Sequence, residues 1–125
     1  QFIYSLRRML DPIKEHVDNN FNPLPTEYIN EFMPIRQKIN DLMKMSCEQI
    51  ETSRYENYRE ILAEADACKD ELSVLRKKHI DRLQNMKDNT LMQISLVYLN
   101  VLQESQEFLS VMRHQLRAAK KFMEN

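Results

Sequence analysis

Acidic residues spaced four positions apart are the feature of this sequence whose chemistry is easiest to name. Asp66 and Asp70 have this spacing. Three glutamates upstream repeat it: Glu56, Glu60 and Glu64. Carboxylates at positions i and i+4 lie on the same side of a helix, where two of them can bind one hard cation. Basic residues such as Lys69 are interleaved with these acids, and carboxylates mostly lie on solvent-exposed faces. The spacing alone therefore favours an exposed helix face over a metal site.

The three histidines are far apart in the sequence and form no HxxxH or HExxH pattern. His79 falls on an apolar stripe, which predicts a hydrogen-bonded imidazole in or near the core rather than a metal ligand. His114 lies among basic residues near the end of the last predicted helix, where positive charge complements the helix dipole. His16 begins the stretch HVDNNFNPLP (16–25), which predicts a corner between two helices.

The sequence lacks the patterns typical of two kinds of catalytic site. Ser105 lies on the inward stripe of the last predicted helix but has no GxSxG context, so its hydroxyl is expected to bond its own backbone. Carboxylate-bridged metal oxidases need a Glu-x-x-His pattern on facing helices, and the sequence has none. The sequence therefore predicts a non-enzymatic protein with no catalytic residue and no organic cofactor.

The elements that must position these residues are predicted to be helices. Glycine is absent, although hairpin turns and phosphate-binding loops depend on it. Apolar residues recur every three or four positions in four segments: 2–18, 27–48, 53–86 and 90–123. Long helices joined by short connections fold back antiparallel. The sequence therefore predicts an all-α fold, with 1–125 as one antiparallel bundle of about four helices.

Side chains able to cap helices occur at three of the predicted boundaries. An N-cap oxygen accepts a hydrogen bond from a backbone N–H group that the first helical turn leaves unpaired. The predicted caps are Thr26 for the second helix, Ser53 or Thr52 for the third, and Asp88 or Asn89 for the fourth. These residues predict where the three helices begin.

Charge and hydropathy limit the classes of partner. The net charge is −1, with 42% hydrophobic and 30% charged residues, which is typical of a well-solvated globular domain and gives no signal for nucleic acid. The longest apolar run, 94–102, is too short and too polar to cross a bilayer. Cys47 and Cys68 show no CxxC spacing and are expected to be reduced residues in or near the core.

Basic residues are concentrated in the last predicted helix: Arg113, Arg117, Lys120 and Lys121. Cations near a helix C-terminus complement the dipole, which is the simpler interpretation. The same residues are also suited to an anionic membrane surface, where each basic residue contributes about 1 kcal/mol. Three tyrosines on the long helical stripes are interpreted as exposed: Tyr55, Tyr58 and Tyr98. Their exposure leaves homodimerisation open.

Three stretches together resemble a known family. They are HVDNNFNPLP (16–25), KKHIDRLQN (77–85) and SLVYLNVLQESQEFLSVMRHQLRAAKKFMEN (95–125). They resemble the C-terminal cytosolic region of bacterial Na/Pi-cotransporter family proteins, most closely those of Bacteroidetes type. The resemblance covers most of the chain and consists of a helical pattern rather than a catalytic fingerprint.

The resemblance implies a PhoU-like antiparallel helical bundle appended to a transmembrane sodium/phosphate transport domain. That transport domain would be the partner within the same chain, at the cytoplasmic face of the inner membrane. The bundle would help to regulate phosphate uptake. The sequence begins with Gln1, which fits a domain excised from a longer transporter.

The resemblance also implies a metal site. PhoU-like bundles often bind metal ions through an E/D-x-x-x-D pattern, which Asp66-x-x-x-Asp70 matches. The last predicted helix has no second pair, since Glu104 and Glu107 are three positions apart. Asp66 and Asp70 are therefore the expected ligands of a divalent or iron-type metal ion. A free-standing PhoU-like metal-binding protein of phosphate regulation is the alternative function.

Overall fold

The computed structural model describes residue 11 and residues 24–124, which form helices and connecting turns without a strand. Three long helices make up this part of the chain: α1 (Thr26–Thr52), α2 (Tyr58–Gln84) and α3 (Asn89–Glu124). The all-α fold class is confirmed for the described residues. The predicted helix 2–18 and most of the corner 16–25 lie outside them, so the count of four helices and the PhoU-like arrangement stay predictions.

Helices α1 and α2 run in opposite directions. Glu31, near the start of α1, lies 3.0 Å from Lys78 near the end of α2. Farther along α1, Lys38 lies 2.8 Å from Glu71, which comes earlier in α2. Moving along α1 from Glu31 to Lys38, the partner in α2 moves back from Lys78 to Glu71. The two helices are therefore antiparallel, as the short connection 53–57 requires.

Helices α1 and α3 run in the same direction. The hydroxyl of Tyr28 lies 2.9 Å from that of Ser95, and one turn later Glu31 accepts a hydrogen bond of 3.3 Å from Tyr98. Helix α2 is therefore antiparallel to both of its neighbours. The N-terminal ends of α1 and α3 lie at the same end of the bundle as the C-terminal end of α2.

One face of each helix is buried in a common core, as the spacing of apolar residues predicts. At most 2% of the surface is exposed for Phe32 and Leu42 on α1, Ile61 and Leu72 on α2, and Leu109 on α3. Burying an apolar side chain of this size stabilises a fold by about 1.5–3 kcal/mol. Because such residues recur every three or four positions, the helical period alone identifies the faces that pack together.

Part of the apolar run 94–102 and both cysteines belong to this core, whereas Leu96 is 47% exposed. Tyr98 and Leu102 of the run are fully buried, and Cys47 and Cys68 are buried free thiols, as predicted. Within residues 24–124, no helix has both the length and the hydropathy needed to cross a membrane.

The start of α3 is predicted correctly, whereas that of α1 is not. Asp88 Oδ1 accepts hydrogen bonds of 2.9 and 3.3 Å from the backbone N–H groups of Thr90 and Leu91, so Asp88 caps α3. Pro25 occupies the cap position of α1, and Thr26 is its first helical residue. The prediction of Thr26 as the N-cap is wrong by one position, and no side chain makes the capping bond there.

The start of α2 also differs from the prediction. Ser53 has a left-handed backbone, with φ of 55°. Its N–H group and that of Arg54 donate hydrogen bonds of 3.3 and 3.1 Å to carbonyl oxygens of the last turn of α1. These two bonds form a Schellman motif, which ends a helix. Ser53 therefore ends α1 instead of capping α2, and α2 begins later than predicted, at Tyr58.

Candidate functional site

Polar side chains of all three helices meet at the end of the bundle where α1 and α3 begin and α2 ends. We call this group the His79 junction and define it by six residues: Tyr28, Glu31, His79, Arg82, Ser95 and Tyr98. Polar groups removed from water need hydrogen-bond partners within the protein. Side-chain hydrogen bonds, in addition to apolar packing, therefore fix how the helices meet at this end.

The imidazole of His79 is the innermost group of the junction and has no exposed surface. Its Nε2 lies 2.7 Å from the backbone oxygen of Ser95 and links α2 to α3. The ring stands edge-on to Tyr28 and Tyr98, at centroid distances of 4.9 and 4.8 Å. The prediction of a hydrogen-bonded core histidine is confirmed.

The rings of Tyr28 and Tyr98 stack in parallel, with centroids 4.6 Å apart and planes 5° apart. Each hydroxyl has a partner: that of Tyr28 bonds Ser95 Oγ, and that of Tyr98 donates to Glu31. The guanidinium carbon of Arg82 lies 5.3 Å from the centroid of the Tyr28 ring, within the range of a cation–π contact. Burial raises the pKa of Tyr98, and the nearby charge of Glu31 raises it further.

The carboxylate of Glu31 is the charged centre of the junction. Its Oε2 binds Arg82 and lies 3.0 Å from Lys78, while its Oε1 accepts the Tyr98 hydroxyl. Burial raises the pKa of Glu31, but the hydrogen bonds from Arg82 and Lys78 bring it below its ordinary value. The side chains of Glu31 and Arg82 are only 16% and 19% exposed, so this ion pair is screened by water less than a surface pair.

The junction can hold charge and protons in a place largely closed to water. It contains a carboxylate and a guanidinium in one hydrogen-bonded set and an imidazole in another, and stacked or edge-on ring contacts join the two sets. Two of its buried nitrogen atoms, His79 Nδ1 and Arg82 Nη1, have no hydrogen-bond partner in the described part of the chain. A buried polar atom without a partner costs about 1–3 kcal/mol. Changes in proton or charge state at this site therefore affect the contacts among all three helices.

The sequence pattern predicts His79 and Tyr98 on apolar stripes, but it does not identify Glu31, Arg82 and Tyr28 as a group. The interpretation of three tyrosines as exposed is wrong, because Tyr98 is fully buried and Tyr55 and Tyr58 are half-buried against the core. A signal for the group does exist. Acids four apart near the start of α1, such as Glu27 and Glu31, match bases four apart near the end of α2 once the helices are taken as antiparallel.

The two predicted metal ligands lie on an exposed side of α2. Asp66 forms an ion pair with Arg113 of α3, with Oδ1 3.1 Å from Nε. Asp70 is exposed. Across the described residues, His, Cys, Asp and Glu side chains form no group of three that could hold a metal ion. A metal at Asp66 and Asp70 would compete with Arg113, and this site stays a prediction.

The basic residues near the end of α3 divide into two sets. Arg113 pairs with Asp66, and the ammonium nitrogen of Lys120 lies 5.0 Å from the centroid of the Tyr58 ring. Arg117 and Lys121 are exposed. Half of this basic group therefore has contacts within the bundle, and the other half faces solvent.

A groove of about 650 Å³ lies between α1 and α2, on the side of Cys68. Its floor includes Leu42 and Cys68, and its rim carries the exposed ion pair of Lys38 and Glu71. Burial raises the pKa of the Cys68 thiol to about 11. The thiol is therefore protonated at neutral pH and is a poor nucleophile.

The structure agrees with the predictions made for two residues of α3, Ser105 and His114. Ser105 donates its hydroxyl hydrogen to the backbone oxygen of Val101 at 2.7 Å, as predicted for a packing serine. His114 is exposed, as expected for a residue near the end of a charged helix. His16 lies outside the described residues.

Comparisons with protein-family models, with curated proteins and with solved structures found no match to this chain. Membership of the Na/Pi-cotransporter family therefore stays a prediction that depends on the resembling stretches of the sequence. Two of these, 77–85 and 95–125, contain four of the six residues of the His79 junction.

Proposed function

We propose that this chain is a non-enzymatic cytosolic domain of a sodium-dependent phosphate transporter and helps to regulate phosphate uptake at the cytoplasmic face of the inner membrane. One observation carries the proposal: the longest resembling stretch, 95–125, coincides with most of α3, which packs against α1 and α2 as they also pack against each other. The partner would be the transmembrane transport domain of the same chain.

The His79 junction gives such a domain a means of responding to its partner. A regulatory element needs two arrangements whose balance a binding event can shift. The contacts of Glu31 and His79 join all three helices at one end of the bundle. A partner that draws away one of these groups changes the packing of the whole end. The bundle would thereby transmit phosphate status by altering how it packs against the transport domain.

Phosphate uptake by the protein that contains this sequence tests the proposal. The protein is expressed in cells that lack their own phosphate transporters. Three forms are compared: the intact protein, a form without residues 24–124, and the variant Glu31→Gln. Glu71→Gln, which alters an exposed ion pair between the same helices, is the matched control. Sodium-dependent uptake that loses its response to phosphate supply only after deletion or Glu31→Gln supports a regulatory domain. Absence of sodium-dependent uptake by the intact protein contradicts it.

The alternative is a free-standing PhoU-like metal-binding protein, favoured by two aspartates one helical turn apart on an exposed side of α2. Calorimetric titration with divalent and iron ions distinguishes it. Heat that disappears in Asp66→Ala/Asp70→Ala, but not in the exposed control Asp81→Ala, supports a metal site. Indistinguishable heats for all three proteins remove this alternative.

Contacts with a membrane surface and with a second copy are part of the same proposal. Arg117 and Lys121 are the exposed cations that would meet anionic lipids. Co-sedimentation with anionic and neutral vesicles tests them, with Arg117→Gln/Lys121→Gln as the variant and Lys77→Gln as the control.

Light scattering after size exclusion tests for a homodimer.

A further inference from the structure

We propose that mild acid opens the His79 junction: a second proton on the His79 imidazole separates the start of α3 from α1 and α2. This inference concerns the bundle itself and does not depend on the proposed function. It begins from the hydrogen-bonding capacity of the two ring nitrogens.

The neutral imidazole fits its surroundings in one tautomer. Nε2 must carry a hydrogen, because its partner at 2.7 Å, the backbone oxygen of Ser95, can only accept. Nδ1 is then the unprotonated nitrogen, and it is buried without a partner among the described residues. A second proton would be added at Nδ1, where no described side chain or carbonyl accepts a hydrogen bond from it.

Charged and titratable groups surround His79 on all three helices. They are Glu27, Glu31 and Tyr28 on α1, Lys78 and Arg82 on α2, and Tyr98 on α3. The carboxylates attract the second proton, but Glu31 is already bound by both cations. Burial lowers the pKa of His79 below its ordinary value of 6.5, against the opposing effect of the hydrogen bond to Ser95, and Arg82 lowers it further.

The direction of the pH effect follows because the pKa of His79 is lower in the folded chain than in the unfolded chain. The unfolded chain takes up the proton at a higher pH than the folded chain, so acid favours unfolding. The stability that the neutral imidazole provides is fully present above pH 6.5 and is lost as the pH falls towards the pKa of the folded state. Over that interval the folding constant decreases by up to about tenfold per pH unit.

The effect is concentrated at one end of the bundle because the junction is local. The hydrogen bonds of Tyr28 and His79 to Ser95 hold the first turns of α3. Farther along α3, Leu109 and Leu116 are fully buried, and polar contacts with α2 are made by Gln106 and Arg113. Apolar contacts do not change with proton uptake, so the junction opens before the remaining core.

Two measurements on the 125-residue chain test the proposal. Carbon and nitrogen NMR of the imidazoles should show His79 as the Nε2–H tautomer at neutral pH, with a titration midpoint below pH 6.5. Urea unfolding, followed by far-UV circular dichroism from about pH 8 to about pH 5, should show a loss of stability with acid. His79→Gln, whose amide can still donate to Ser95, should flatten that loss, while His114→Gln should leave it unchanged.

Near-UV circular dichroism reports the stacked Tyr28 and Tyr98 rings and should change at a higher pH than the far-UV signal. The proposal is overturned if the His79 imidazole of the wild-type chain titrates at or above pH 6.5. It is equally overturned if the loss of stability with acid is the same in His79→Gln. If His79→Gln fails to fold, near-UV and far-UV signals of the wild-type chain that change at the same pH overturn the proposal.

Discussion

The carboxylate of Glu31 lies 3.0 Å from the ammonium nitrogen of Lys78, across the interface between the start of α1 and the end of α2. The same carboxylate also binds Arg82. A second pair between these helices, Lys38 and Glu71, has a similar distance of 2.8 Å, but its side chains are 55% and 45% exposed. Lys78 is itself 59% exposed, so the two pairs differ in the exposure of the carboxylate, 16% against 45%, and in the additional partner Arg82 of Glu31.

Glu31→Gln should lower the free energy of unfolding by about 2 kcal/mol, because it weakens charge-assisted hydrogen bonds in a site largely closed to water. Glu71→Gln is the control and should have a much smaller effect, since exposed ion pairs contribute little. Urea unfolding followed by circular dichroism measures both. Equal losses for the two variants would contradict the importance assigned to the junction.

The contribution of Glu31 should also depend on pH. Burial raises its pKa, but hydrogen bonds from Arg82 and Lys78 bring the pKa below 4.5. A carboxyl group with a lower pKa in the folded state adds stability above pH 4.5, and this stability is lost as the pH falls through the folded pKa. The stabilities of the wild type and Glu31→Gln should therefore converge in this acidic range. A constant difference between them would contradict the assignment.

The hydroxyl pair of Tyr28 and Ser95 is suited to a double-mutant cycle. Tyr28→Phe leaves a buried serine hydroxyl without its partner and should cost about 1–2 kcal/mol. Ser95→Ala should cost a similar amount. The double variant should cost less than the two single costs combined, because both partners are then absent. Tyr55→Phe removes a hydroxyl outside the junction and serves as the control. Additive costs would show that the two hydroxyls do not interact.

The N-cap of α3 gives a fourth prediction. Asp88→Ala should lower the free energy of unfolding by about 1 kcal/mol, because the N–H groups of Thr90 and Leu91 lose their acceptor. Asp81→Ala, the control, removes an exposed aspartate within α2. It should change the free energy of unfolding by less than about 0.5 kcal/mol. Thermal or urea unfolding of both variants checks this difference.

The Cys68 thiol should react only when the chain unfolds. With a pKa of about 11, it has roughly a hundredfold less thiolate at weakly alkaline pH than an ordinary cysteine, and it is also closed to reagents. In a Cys47→Ala background, a thiol reagent such as dithionitrobenzoate should react slowly with the folded chain and rapidly in denaturant. Rapid reaction of the folded chain would contradict the burial of Cys68.

The core faces could be predicted because they depend only on the helical period. Ile61, Leu72 and Leu109 lie where a repeat of three or four positions places them. The cap of α3 was predictable for a similar reason, since Asp88 satisfies N–H groups two and three positions away. Both features are local, and local spacing is what a single sequence displays.

The start of α2 could not be predicted in this way. Ser53 can either cap a following helix or end a preceding one, and its left-handed backbone is a conformation that most proteins give to glycine. In a chain without glycine, serine takes this role, and the sequence pattern does not distinguish the two uses.

The His79 junction was missed because it depends on how the helices are aligned. Glu31 and Arg82 lie on different helices and meet only in one register between α1 and α2. Ser95 contributes its backbone oxygen to His79, and every residue has such an oxygen. The burial of His79 was visible in the sequence, whereas its partners required the tertiary structure.

The parallel course of α1 and α3 has a mechanical consequence. The chain enters the described bundle at Leu24, beside the His79 junction, and leaves it at Glu124, at the opposite end. Helix α3 has 36 residues, which corresponds to a length of about 54 Å. The described bundle therefore holds Leu24 and Glu124 apart along the helix axes. A force applied between Leu24 and Glu124 would pull along the helix axes and load the contacts at the junction in shear.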